Sequence, residues 1–533
     1  MLSGLATADR FQMKGLIEPA LLLVIMALCL FDFVLHRNSV MIQGLEAALW
    51  SLPWILLACL AIWCSAFLFL TFNLNDLCLI VLLVIAVIAY CVGYAEHPTG
   101  DVLELLFGVT FGRAALASLN KEVRMKNAEN KNISTLVTCH LPLVTFLSGL
   151  IVLLAFASFW HLDPLGGFYH GPRWMGLWNN PNDYGMLMGA GTLLAIGLLA
   201  EKLKTEMQKA EMERQEPAVS SQNSLRSFAA VKLAIGNWQS AIFLVAAFMM
   251  GVGLVMSYSR GAWVGTAIGL LYLVKAYGKF KWRWVLPPLL LAAAAICFFG
   301  NNTSDNAPWY MKRLDSSRGS VQHRVVAWKA GFEIMRDNPF GVGWGKTVST
   351  YQEHYSPPEN GATAITTNDY LMLGTQIGIP ALLCFFAYIA MQLGMGQRIW
   401  KKTEIAEETA RGDARPTTLD IGRWTSDAQL RIACRSAAIV MLVAFWFDGG
   451  LFKLATASVF WILLELGAER KTLKIETLKA ENENAEPYQE AEGGKAETGL
   501  AAKMHKDFEM PEAGMAVPSR KRRNGLITKI RAI

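Results

Sequence analysis

Four short stretches carry residue types that can bind or move charge. "MSYSRGAWVG" (256–265) sets Arg260 behind Ser257, Tyr258 and Ser259, between two long apolar runs. A charge buried in a membrane costs a few kcal/mol on insertion scales, so Arg260 reads as a functional residue rather than a passenger. "SVQHRVVAWKAGFEIMRDNPFGVGWGKTVSTYQEHY" (320–355) places Arg324 beside His323 at the head of an apolar repeat. A guanidinium stays charged and forks onto two oxygens, which suits a diphosphate better than a lysine would. "MGLWNNPNDYG" (175–185) offers Trp178 and Asn182, an aromatic face and a carboxamide suited to a sugar ring and its hydroxyls. "TTNDYLMLGTQIGIPALL" (366–383) opens an apolar run with Asn368, Asp369 and Tyr370, and Asp369 is a candidate to accept a proton from an acceptor hydroxyl. Each stretch also has a plainer reading: a solvated arginine, an aromatic belt, or a helix cap by Asn182, Asp183 or Asn368.

From Val325 to Met335 apolar side chains recur at helical spacing, which predicts an amphipathic helix ended by Asn338 and Pro339. "GVGWG" (341–345) then predicts a glycine-rich turn, with Gly343 at its centre, whose backbone can come close to a ligand. Ser259, His323, Gly343, Asn368 and Tyr370 join Trp178 and Asn182 as candidate binding residues, around Arg260, Arg324 and Asp369 as candidate catalytic ones.

Composition says where such residues must sit. The chain is 53% hydrophobic and only 17% charged, with the charge gathered in loops and a tail. That is an all-α, polytopic membrane protein. Its net charge of +6 is explained by topogenic Lys and Arg, so nucleic acid is not a partner it points to. At 17–25 residues per span, about twelve spans fit. They run near 15–35, 48–72, 76–94, 101–119, 139–160, 183–200, 236–256, 262–278, 283–299, 368–395, 430–448 and 453–469, the fourth being the most charged. Basic linkers at 120–138, 201–235, 275–283 and 396–429 alternate with linkers that carry one basic residue or none, so both termini fall in the cytoplasm. The organisation is then a membrane domain over 1–299, a large extracytoplasmic loop over 300–367, a second membrane part over 368–469, and a charged, largely disordered tail over 470–533. All the candidate residues face one compartment, where Arg173, Arg260 and Arg324 can converge. The cysteines lie in or at the ends of apolar segments with no metal-ligand spacing, so they read as small buried residues and no metal is expected.

Taken in order, "G-L-W-N-N-P-N", "S-x-S-R-G-A-W-V-G", an Arg-x-x-x-Trp followed by "P-F-G-V-G-x-G", and "N-D-Y-L" resemble the O-antigen ligase and polymerase superfamily over roughly 150–395. The resemblance implies a GT-C-like glycosyltransferase of the bacterial inner membrane, working at the periplasmic face without metal, cofactor or nucleotide sugar. Its donor would be a glycan on undecaprenyl diphosphate and its acceptor a further glycan or a lipid, for lipopolysaccharide or another cell-surface polysaccharide. Carried onto this chain, Arg260 and Arg324 would bind the diphosphate and stabilise its charge as the sugar–phosphate bond breaks. Trp178 and Asn182 would lie on the glycan or acceptor side. Ligases of this kind carry a histidine just before N-x-Y-L, as the base for the acceptor hydroxyl; Thr367 stands there. His354, His323, Glu359 and Asp369 remain the alternatives, and ligase and polymerase stay open. Two other readings are a transporter or flippase of lipid-linked glycan, and a non-catalytic envelope scaffold.

Overall fold

A computed structural model describes residues 17–32, 45–63, 76–92, 100–129, 141–159, 173–178, 180–212, 238–277, 320–355, 368–394 and 418–468. The chain divides into Met1–Arg470 and Lys471–Ile533, and the second unit lies outside the described residues. So do the expected span 283–299, Thr367 and the candidate base Glu359.

A chain in lipid must satisfy its backbone polar groups internally, and the described elements are helices with no strand among them. They are α1 (17–32), α2 (Leu45–Trp63), α3 (Leu77–Val92), α4 (Gly100–Glu129), α5 (Leu141–Ser158), α6 (Pro181–Met212), α7 (Trp238–Met256), α8 (Arg260–Tyr277), α9 (Ser320–Asp337), α10 (Thr347–Thr350), α11 (Asp369–Gln392), α12 (Thr418–Ala444) and α13 (Leu454–Gly467). Gly100–Leu119, Pro181–Leu203, Trp238–Met256 and Asp369–Gln392 are long and apolar enough to cross a membrane. The protein is a polytopic, all-α membrane protein.

The charged fourth span is explained by its place inside the bundle. Arg113 of α4 pairs with Asp76 and, at 3.1 Å, with Glu465 of α13, and it donates to the Tyr388 hydroxyl at 3.0 Å. Asp101 accepts from the Gln376 amide at 2.8 Å. Arg113 and Asp101 therefore face partners, not lipid, which is how a buried charge is made tolerable.

Small residues decide how closely the central helices approach. Gly261, Gly265 and Gly269 form a stripe at i, i+4 spacing along α8, and α12 lies against it. A Cβ at Gly269 would stand 2.7 Å from the Ser436 carbonyl oxygen, and one at Gly265 would strike the Val440 carbonyl. Backbone-to-backbone contact of this kind needs glycine. On another face, Gly185 and Gly189 of α6 accept Ser257, Ala262 and Thr266. The result is a tight α6–α8–α12 core whose upper end is fixed in depth and rotation.

Helix α11 is broken at Gly378, where φ is 90° and ψ 169°. Pro380 has no N–H for the Gln376 carbonyl, so that carbonyl needs another donor. The 338–346 loop supplies it: Gly343 N donates to Gln376 O at 3.0 Å and Val342 N to Thr375 O at 2.8 Å, while Ile379 N donates to Pro339 O at 2.9 Å. The glycines of "GVGWG" thus make their close approach to α11, since a Cβ at Gly341 would strike the Gln376 carbonyl.

The amphipathic helix expected over 325–335 is present as α9. Its Ala327, Ala330 and Ile334 pack on Tyr351 of a short π-helical turn, Tyr351–Tyr355. Tyr355 donates its hydroxyl to Asp337 at 2.8 Å, clipping that turn to the end of α9. This bond, and next the Arg336 guanidinium, hold the Asp337 carboxyl below the usual carboxylate range.

Candidate active site

The site begins at the turn between α7 and α8. Three residues, Ser257–Ser259, reverse the chain, and Tyr258 takes a φ of 50°, a left-handed backbone that non-glycine residues seldom adopt. Ser257 closes the end of α7, donating to Leu254 O at 2.6 Å and accepting from Ser259 N at 3.2 Å. Ser259 caps α8, its hydroxyl accepting from Ala262 N at 3.2 Å. Arg260 is then the first residue of α8, where a cation meets the positive end of the helix dipole. Such a placement is favourable only with negative charge nearby.

One carboxylate supplies part of that charge. At the end of α12 the chain turns through Phe445–Asp448, and Asp448 is buried. Its Oδ2 accepts from the Ser259 hydroxyl at 3.1 Å and its Oδ1 from Arg324 at 3.1 Å. Gly261 makes room for it, because a Cβ there would lie 2.7 Å from Oδ2. Arg260 lies within electrostatic reach of both Arg324 and Asp448 and forms no hydrogen bond or ion pair to a described residue. Two guanidinium groups and a helix N-terminus therefore surround one carboxylate, an excess of positive charge suited to a polyanion.

Aromatic packing brings Arg324 to this point. Trp328, one turn along α9, packs edge-on to Trp446 at 5.7 Å and tilted to Phe447 at 6.3 Å, docking the helix on the same turn that carries Asp448. Trp446 continues to Tyr370 at 5.9 Å. His323, the neighbour of Arg324, is exposed. His354 is exposed on the π-helical turn whose Tyr355 is clipped to Asp337 at the end of α9.

The remaining candidates take more structural places. Asp369 is buried, and its Oδ2 accepts from Gly450 N and Leu451 N, both at 2.7 Å, while its own N–H donates to Phe445 O at 3.1 Å. It clamps the 445–451 turn to the head of α11. Asn368 is the cap the sequence suggested, accepting from Tyr370 N and Leu371 N at 3.1 Å each. Tyr370 donates its hydroxyl to the Leu442 carbonyl. Asn182 accepts from Arg173 at 2.6 Å, and Arg173 also donates to Ser257 O at 2.7 Å, so the 173–178 segment is laced to the back of the α7–α8 turn. Arg173 thus braces the turn, whereas Arg260 and Arg324 lie within electrostatic reach of each other. Trp178 is buried against Tyr184, with ring centres 6.0 Å apart. The cap of α6 is Asn180, not Asn182 or Asp183: Asn180 Oδ1 accepts from Asn182 N at 2.9 Å, leaving Pro181 at the first helical position that suits it. Asp183 instead pairs with Lys453 at 2.8 Å.

Sequence reading passed over the 446–453 turn, "WFDGGLFK", which joins α8, α9, α11 and α6 through Asp448, Gly450, Leu451 and Lys453. A lone carboxylate before two glycines, between two apolar spans, was the available signal.

Residues 245–386 match the family model described as O-antigen ligase, and the match supports the O-antigen ligase and polymerase superfamily for this chain. The matched segment holds most of α7, all of α8, α9 and α10 and most of α11, and with them Arg260, Arg324 and Asn368–Tyr370. Asp448 lies beyond it. No curated protein matches the chain.

Proposed function

We propose that the protein is an inner-membrane glycosyltransferase that transfers or polymerises glycan from undecaprenyl diphosphate at the periplasmic face, for cell-surface polysaccharide. The family match supports a ligase or polymerase with a lipid-linked glycan and an acceptor as its partners. The observation that carries the finer reading is the joining of Ser259, Arg324 and Asp448, from three distant segments, beside Arg260.

In this reading the donor diphosphate lies between Arg260 and Arg324. The acceptor oxygen attacks the anomeric carbon, the bond from that carbon to the diphosphate oxygen breaks, and its electron pair leaves on the diphosphate. Arginines already oriented towards that oxygen lower the barrier without rearranging during the reaction. Asp448 is a positioning residue: it holds Arg324 in a set direction and leaves the second guanidinium nitrogen for substrate. The acceptor proton goes to His323, the described histidine beside Arg324. Asp369 serves as the clamp of the 445–451 turn, its Oδ2 already taken up by the Gly450 and Leu451 amides.

The test is purified protein in nanodiscs with a labelled oligosaccharide on undecaprenyl diphosphate. Release of free lipid diphosphate with a ladder of longer lipid-linked chains identifies a polymerase, and a single shift onto an added acceptor identifies a ligase. Folded protein that releases none with any acceptor overturns the reading.

A further inference from the structure

Helix α9 turns an apolar stripe away from the protein. Val325 and Phe332 are each 53% exposed, and Phe340, just past the helix end, is 81% exposed. At 100° per residue, Val325 and Phe332 lie directly beside the face of Arg324, Trp328, Gly331 and Met335 that packs on α11 and the Asp448 turn. Exposed Lys329 and Arg336 come next around the helix, and Glu333 and Asp337 lie beyond them. Apolar stripe, then basic edge, then acidic edge is the arrangement of a helix lying in a membrane interface.

Helix α11 shows at what depth this stripe sits. Residues 369–378 of α11 are all buried, covered in part by α9 and the 338–346 loop. From Ile379 onward the helix turns Ile379, Leu383 and Phe386 outward, and the Phe340 backbone touches Gly378 where that outward face begins. Counting back from Gln392, a hydrocarbon layer of about 30 Å needs about 20 residues and reaches Leu373. At that level Met335 of α9 packs against Gly374, and Gly331 packs against Leu371. The hydrocarbon boundary therefore falls on α9 itself.

We propose that α9 and Phe340 lie in the lipid surface, with Val325, Phe332 and Phe340 among acyl chains and Lys329 and Arg336 at the phosphates. The occupant of the stripe is membrane lipid, continuous with the lipid facing Ile379 and Leu383. The helix then presents Arg324, on its adjacent face, at headgroup depth, where the phosphates of a lipid-linked donor would be found. That last step rests on the role proposed for Arg324; the immersion of α9 does not.

The test places a fluorescent amino acid, one site per protein, at Phe332, Phe340, Gln352 or Glu353 of the full chain. Each protein is put in nanodiscs of phosphatidylethanolamine and phosphatidylglycerol, with and without brominated acyl chains. All four positions are exposed, Phe332, Gln352 and Glu353 on helical turns and Phe340 in the loop after α9. We expect bromolipid to quench positions 332 and 340 at least about threefold more than 352 and 353, and aqueous iodide to give the reverse order. Equal access of iodide to 332, 340 and 353 overturns the proposal. Protection of 332 and 340 from both quenchers also overturns it, showing that protein, such as a second copy, covers the stripe. Neither readout depends on glycan transfer, so failure here leaves the proposed function standing.

Discussion

Arg324 donates to Asp448 at 3.1 Å across 124 residues of sequence, and the same carboxylate holds the hydroxyl of Ser259. The link ties the loop helix to the α7–α8 turn. If Arg324 works through a direction set by Asp448, Asp448→Ala lowers transfer about tenfold to a hundredfold, mainly in the rate at saturating donor. The double variant with Arg324→Ala is no slower than Arg324→Ala alone. Steady-state kinetics of the two singles and the double check this, and additive losses would show that the residues act separately.

Asp369 separates a clamp from a base. Asparagine keeps a carbonyl oxygen able to accept from Gly450 N and Leu451 N but cannot take a proton. Asp369→Asn is expected to retain transfer within about tenfold of the parent, whereas Asp369→Ala lowers the unfolding midpoint by leaving two buried N–H groups without an acceptor. Abolished transfer in a stable Asp369→Asn protein would return the base role to this residue.

The two described histidines are expected to differ. His323→Gln slows transfer while His354→Gln, on the turn clipped to Asp337, leaves it near the parent rate. The same kinetic assay decides, and a loss confined to His354→Gln would move the chemistry to the far end of α9.

The depth of α12 against α8 depends on Gly265. Gly265→Leu drives a side chain into the Val440 backbone and is expected to cost about 1–3 kcal/mol, read as a lower unfolding midpoint in detergent. Gly251→Leu, where a Cβ meets nothing within 4 Å, serves as the matched control and is expected to unfold near the parent midpoint.

The elements were largely legible in the sequence because lipid forces apolar runs into helices, and because α9 repeats its apolar residues at helical spacing. Asn368 was legible as a cap for the same local reason. What a local pattern does not carry is partnership across the chain. Nothing near Asp448 points to Ser259, 189 residues away, and nothing in "GVGWG" says that its amides answer a proline-broken helix. Asn180 lost out to Asn182 and Asp183 because only the start of α6 at Pro181 makes it the cap.

The central claim is that the paired arginines release a lipid diphosphate. The most direct measurement is the rate of free undecaprenyl diphosphate release in nanodiscs, with acceptor present, for the parent protein and for Arg324→Ala. The expected result is release by the parent and a fall of about a hundredfold to a thousandfold in the variant, at equal unfolding midpoints. Equal release by both proteins would contradict it.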